Sequence, residues 1–286
     1  MSVFANPVKV ILPKEWRIPF VYSSPHSGRN YPTEFIASSM LNFSKLRQSE
    51  DFLVDELFAG VPASGAPLLC AEFPRAYCDV NREAFELDPH MYSTPLPDYV
   101  VTVSPRLASG IGTIPKVVGA GQEIYSEKLD FQEVQTRINE CYFPYHHALR
   151  QLLEEGLKRF GYIYLLDCHS MPSAKTRSAP DNRRPDIILG NRYGTSCAPG
   201  LFSSALARLQ SFGYQTGQNT PYAGGFITTH YGKPEKNIHA LQIEINRNLY
   251  MNQKTLTPTA GFVKLQEDIS KFTQDMGRYD SSLLSA

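Results

Sequence analysis

The sequence has no excess of either charge, with 28 basic and 28 acidic residues. Grooves for nucleic acid and faces for anionic membranes concentrate Lys and Arg, so neither partner is expected. No apolar run approaches the roughly 20 residues that span a bilayer. The opening residues, Ser2-Val3-Phe4-Ala5-Asn6-Pro7, lack the positive start and apolar stretch of a secretory signal, and a cytoplasmic protein is expected. Cysteines are few: Cys70, Cys78, Cys141, Cys168 and Cys197 are scattered, with no C-x-x-C spacing. That spacing argues against a disulfide framework and against a cysteine zinc site. The compact H-E-x-x-H signature and the G-x-S-x-G elbow are also missing. Any catalytic site is therefore assembled from distant segments.

Three short apolar runs carry polar groups. Tyr162-Ile163-Tyr164-Leu165-Leu166 is followed by Asp167-Cys168-His169-Ser170. A run this short and this apolar predicts a strand buried on both faces. The polar residues at its end then emerge where open α/β sheets place their active sites. In extended backbone, side chains two apart point the same way, so Asp167 and His169 share one side while Cys168 points away. Phe20-Val21-Tyr22-Ser23-Ser24 leads in the same manner to Pro25-His26-Ser27-Gly28. The third run, His239-Ala240-Leu241-Gln242-Ile243-Glu244-Ile245, holds a glutamate among aliphatics. Buried carboxylates are rare unless paired or bound to metal. Two histidines and a glutamate on three strands make a metal-hydrolase pocket the leading expectation.

The rest of the chain supplies the frame. Residues 48–58 have apolar positions at 53, 54, 57 and 58, predicting an amphipathic helix capped by Ser49 with Asp51 in its first turn. Thr33 is a candidate cap for an earlier helix. Residues 66–73 read as a strand, and Asp79, Asn81 and Arg82 form a polar cluster behind it. Residues 86–126, rich in Pro, Gly and Tyr, form an irregular excursion of the kind that is usually functional or disordered. A long helix covers 127–160, with Pro144 as a kink or a division. Asp186 to Gly190 is a strand, 199–212 a helix, 220–232 a glycine-rich turn edged by His230, and 259–275 a final helix. Strands alternating with helices predict one α/β domain over residues 1–286, with a largely parallel or mixed sheet.

A catalytic zinc keeps three protein ligands and an open position. His26 and His169 are the nitrogen ligands, and Asp51 and Glu50 compete for the third place. Glu244 cannot be both ligand and base, and its strand comes last of the three, so it is assigned as the base. Among the other histidines, His146 and His147 lie on the long helix, His239 opens a strand, and His90 has no supporting pattern. His230 is a substrate-side candidate. Asn81 and Arg82 follow a strand and offer a fork matched to a carboxylate, with Arg75 close behind the preceding strand. A serine nucleophile at Ser27 or Ser170 is the rival enzyme reading. A binder that keeps the pocket without turnover is the rival outside enzymes.

Seven stretches in one order resemble the N-formylglutamate amidohydrolases. They are Ser24-Pro25-His26-Ser27-Gly28, Ser49-Glu50-Asp51, Asp79-Val80-Asn81-Arg82, Asp167-Cys168-His169-Ser170, Pro185-Asp186-Ile187-Ile188-Leu189-Gly190, the run from Gly224 to Pro234, and His239 to Glu244 with Leu249-Tyr250-Met251 behind it. The resemblance implies a fold similar to zinc carboxypeptidases, a mixed, mostly parallel twisted sheet with helices on both faces. It implies hydrolysis of an N-formyl or N-acyl amide of an amino acid, N-formyl-L-glutamate foremost, with a divalent metal, zinc first and cobalt second. It places His26, His169 and Asp51 on the metal, favouring Asp51 over Glu50. The partner is then a small N-acyl amino acid, with hydrolysis of short peptides the nearest alternative. Two departures stand out: Met171-Pro172-Ser173 replaces the family's Ile-Arg-Ser, and Arg247 lies three residues beyond Glu244. Arg247 or the basic loop from Lys175 to Arg184 would then make the site receptive to an acidic side chain.

Overall fold

A computed structural model describes residues 3–119, 121–173 and 185–278; the basic loop from Lys175 to Arg184 lies outside them. The apolar runs become strands, as their length predicts. These are β1 (Val8–Ile11), β2 (Phe20–Ser24), β3 (Leu68–Ala71), β4 (Ile163–Met171), β5 (Ile187–Gly190), β6 (Thr216–Gln218) and β7 (Ile238–Asn246). They form one seven-stranded sheet in the order β1-β3-β2-β4-β7-β5-β6. β2 runs parallel to β4, β4 to β7 and β5 to β6, while β5 is antiparallel to β7. The sheet is therefore mixed and mostly parallel, as expected. All nine residues of β4 are buried. Successive side chains point to opposite faces, so both faces of this strand are covered.

The chain gathers into two compact units, each built from three stretches. One takes the described parts of residues 1–9, 25–50 and 70–149, and the other those of 10–24, 51–69 and 150–286. The second contains β2, β4, β5, β6 and β7, with the helices α4 (Pro199–Ser211), α5 (Phe226–Tyr231) and α6 (Gly261–Met276). β1 and β3 pass from one unit into the other along the chain.

The first unit holds the irregular excursion, organised around a buried cation. Arg137, 1% exposed, donates to the Tyr125 hydroxyl at 2.7 Å and lies 4.3 Å from the Tyr77 ring. It also pairs with Glu133 one helical turn back. Rings and a carboxylate around a guanidinium compensate its lost hydration. Arg137 ends α2 (Phe131–Arg137), which continues through a π turn, Ile138–Tyr142, into α3 (Phe143–Phe160). The expected division of the long helix is thus a π turn just ahead of Pro144. The wider turn leaves a place for a residue without an N–H donor.

Besides α5, which occupies part of the glycine-rich turn expected over 220–232, three expectations differ from the structure. β4 does not stop at Leu166 but runs through Asp167 and His169 to Met171. Thr33 is the first helical residue rather than a cap, with Pro32 before it. The amphipathic helix over 48–58 is also broken. A 3-10 turn, Arg47–Ser49, ends at an extended Glu50, Leu53 takes a left-handed φ of 57°, and only α1 (Val54–Leu57) is helical. Glu50 is fixed by tertiary bonds, accepting from Arg47 Nε and Nη2 at 2.8 and 3.0 Å and from the Tyr31 hydroxyl at 2.8 Å. Those bonds override the helical pattern. Asp51 therefore projects from a turn, and no helix terminus supports it.

Candidate active site

Two neighbouring strands build most of the site in the second unit. On β4, Asp167 and His169 share a face, and His169 Nε2 lies 2.9 Å from Asp167 Oδ2. In register with them on parallel β7 stand Gln242, opposite Asp167, and Glu244, opposite His169. Aligned residues of neighbouring strands face the same side, so Glu244 stands beside the histidine. Gln242 Nε2 donates to Glu244 Oε1 at 3.0 Å, while Gln242 Oε1 accepts from the Gly225 amide at 2.8 Å. The Gly225 N–H can only donate, which settles which end of the amide faces Glu244. The glutamate carboxylate is thereby oriented through one oxygen.

Asp51 completes this half. Its Oδ2 lies 3.0 Å from His169 Nδ1, and its Oδ1 accepts from Arg247 Nη2 at 3.1 Å. Arg247 Nε in turn donates to Ser170 Oγ at 3.1 Å. A buried guanidinium thus holds one oxygen of Asp51 and turns the other to the histidine. The neighbouring backbone is tied down by the Tyr250 hydroxyl, which donates to the Phe52 carbonyl at 2.8 Å. Removing that donor deletes a buried hydrogen bond, so Tyr250→Phe is expected to cost about 1 kcal/mol in chemical denaturation. Burial opposes charge on His169, but the Asp167 and Asp51 carboxylates outweigh it and hold its pKa well above the ordinary imidazole range.

His26 follows β2 by two residues and is held in the first unit. Its Nε2 lies 2.7 Å from Asp79 Oδ1, which also accepts the Asn81 amide at 2.9 Å. Arg75 Nη2 donates to Asp79 Oδ2 at 2.8 Å, and Arg82 Nη2 stands 3.6 Å from the same oxygen. Burial pushes the Asp79 carboxyl up, but Arg82, His26 and Arg75 outweigh it, leaving its pKa well below the usual range. Gly28 has no room for a side chain, because a Cβ there would lie 2.1 Å from the Phe73 carbonyl oxygen.

His26, Asp51 and His169, all buried, offer ligand atoms within 4.8 Å of one another, and the group could hold a metal ion. The donor chemistry fits. Two imidazoles and a carboxylate form a set suited to zinc. Each imidazole also has its Nε2 against a carboxylate, Asp79 for His26 and Asp167 for His169. Such outer carboxylates fix the tautomer and orientation of a ligating histidine, and both stand at Nε2 here. Asp79→Asn is accordingly expected to weaken metal affinity about 10–100-fold, read by competition with a chelating dye.

Residues 18–251 match the family model for N-formylglutamate amidohydrolase. The chain belongs to that family. It is 29% identical over 248 residues to the N-formylglutamate deformylase of Pseudomonas aeruginosa, covering 84% of this chain and 85% of that protein. The N-formylglutamate deformylase of Pseudomonas putida is 29% identical over 273 residues, 93% of this chain and 92% of that protein. The crystal structure of N-formylglutamate amidohydrolase from Ralstonia eutropha JMP134 superposes with a TM-score of 0.90 at 37% identity, covering 96% of this chain and 98% of that one.

Within this amidohydrolase chain the residues singled out from sequence fall into place unevenly. Glu50 is bound to Arg47 and Tyr31, whereas Asp51 meets His169. Arg247 is committed to Asp51 and Ser170, so it orients a site carboxylate where a substrate-facing cation was expected. Ser170 accepts its bond from that arginine, a group that cannot take a proton from it. Arg82 is less open than a free fork, since its Nε and Nη1 donate to the Ile111 and Asn81 carbonyls at 2.8 and 2.7 Å. His230 is exposed in the last turn of α5 and stacks on Phe226 at 4.8 Å. Its helix follows Gly225, which is bonded to Gln242, and leads to Lys233, whose amide bonds the Ile238 carbonyl at the start of β7. Gln242 was read only as part of a strand, and its alternation with Glu244 is the signal that would have found it.

Proposed function

We propose that this chain hydrolyses the N-formyl amide of an amino acid, with N-formyl-L-glutamate as the foremost substrate, yielding formate and the free amino acid. The observation that carries the reading is the pairing of Glu244 with His169 across β4 and β7, beside a buried His26-Asp51-His169 group. A divalent ion held by those three, zinc foremost and cobalt next, would polarise the scissile carbonyl and bring the pKa of a water toward about 7.

The chain's own groups do the rest. Glu244, oriented by Gln242 through Oε1, takes a proton from the attacking water and passes that proton to the leaving amine. Asp79 and Asp167 hold the two imidazoles. Asn81 and Arg82 bind the substrate α-carboxylate, and Arg75, 21% exposed beside Asp79, neutralises the oxygen that gains charge. His230 remains a candidate only for an outer contact with a larger substrate. The family match and the two deformylase relatives support the choice of a formyl amide.

The deciding experiment is a panel of N-formyl and N-acetyl amino acids and short peptides, assayed with zinc or cobalt added. Cleavage of N-formyl-L-glutamate above the rest is expected. Peptides cleaved in its place would overturn the reading in favour of a peptidase.

A further inference from the structure

A dicarboxylate substrate needs a second cation besides the one that meets its α-carboxylate. Arg247 is committed to Asp51. The excursion, however, brings another guanidinium to the Asp79 cluster. Arg82 Nε donates to the Ile111 carbonyl at 2.8 Å, and the Ile111 amide donates to the Arg106 carbonyl at 3.0 Å. The Thr113 amide bonds the Glu86 carbonyl at 2.9 Å, and the Asp79 amide bonds the Thr113 carbonyl at 2.7 Å. Residues 79–82, 86 and 106–113 are thus laced together within one unit.

Three guanidiniums, Arg75, Arg82 and Arg106, act with two carboxylates, Asp79 and Glu86. Burial lowers the pKa of Arg82, and the neighbouring Arg75 and Arg106 lower it further against the pull of Asp79. Arg106 is the loosest of the three. Its Nη1 stands 3.8 Å from Glu86 Oε2, beyond hydrogen-bond reach, and that oxygen accepts no hydrogen bond. Glu86 Oε1 takes its bond from Ser104 instead. The Arg106 side chain is 36% exposed where Glu86 is 4% exposed. A partly exposed guanidinium, tied through Ile111 to the arginine assigned to the α-carboxylate, matches an anion a few bonds further along the same substrate.

We propose that Arg106 reads the side-chain carboxylate of the substrate and so makes the chain selective for N-formyl amino acids with acidic side chains. This rests on the proposed amidohydrolase activity and adds the residue that sets its substrate class. Arg106 makes no bond to the reacting atoms. Its role is selectivity, carried by a charge-assisted contact that a neutral isostere of the substrate does not make.

The test compares N-formyl-L-glutamate with N-formyl-L-glutamine on metal-loaded wild type, Arg106→Gln and Arg106→Lys. The ratio of their kcat/KM values is expected to fall about tenfold or more in Arg106→Gln, mainly through KM for the dicarboxylate, and to be partly kept in Arg106→Lys. A ratio within about twofold of wild type in Arg106→Gln overturns the inference while leaving the activity intact. Calorimetry with N-acetyl-L-glutamate and N-acetyl-L-glutamine reads the same preference without turnover. A wild type that cleaves no N-formyl amino acid but loses its preference for the dicarboxylate in Arg106→Gln would overturn the proposed activity alone.

Discussion

Glu244→Gln is expected to yield a folded protein that takes up metal as wild type does and turns over on the order of a hundredfold or more slowly. The substitution keeps the shape of the side chain and its bond to Gln242, since the new amide oxygen still accepts from Nε2. What it removes is the negative charge and the oxygen that receives a proton. Glu244 is not among the residues assigned to the metal, so metal content separates loss of the base from loss of the site. Steady-state kinetics with N-formyl-L-glutamate and metal analysis of the same preparation make the measurement. Wild-type turnover in the variant would remove Glu244 from the mechanism. An unaltered ligand affinity in a chain with no turnover to lose would point to a binding protein.

The second large effect concerns the metal. Stripping the protein with a chelator is expected to abolish hydrolysis, and zinc or cobalt is expected to restore it. His169→Ala should lose both bound metal and rate. Charge stabilisation by a bound metal is worth several kcal/mol, on the order of a thousandfold or more in rate. His169 also separates Asp167 from Asp51, at 2.9 and 3.0 Å respectively. Its removal therefore brings unshielded carboxylates together and is expected to lower stability before metal is added. Chelation of the wild type carries no such side effect and is the cleaner arm. Full activity in the metal-free wild type would refute a metal mechanism.

The parts of this protein that were legible from sequence are those governed by local periodicity. Short apolar runs make strands wherever both faces are covered, so β2, β4 and β7 could be located, and side-chain alternation put Asp167 beside His169. Collinear short motifs then marked His26, Asp51 and His169 as ligands although their chain separation is large, and the three form one buried group.

Where local pattern and tertiary bonding competed, the pattern misled. The helix expected over 48–58 is broken because a turn or two of isolated helix is barely stable. The bonds of Glu50 to Arg47 and Tyr31 replace it, and Leu53 is left in the costly left-handed region. Asp51 takes its direction from those contacts and from Arg247, which lies 196 residues away in the chain. No periodicity records a contact at that separation. The same holds for Asp79 as the partner of His26 and for Arg106 beside Arg82, both placed by backbone bonds within the irregular excursion. The sequence by itself thus determined which strands exist and which of their residues share a face, because alternation is a property of each strand alone. Only the tertiary structure decided which carboxylate turns to His169, which one holds His26 and which partner Arg247 takes, because those depend on pairs of groups that meet only when the chain is folded.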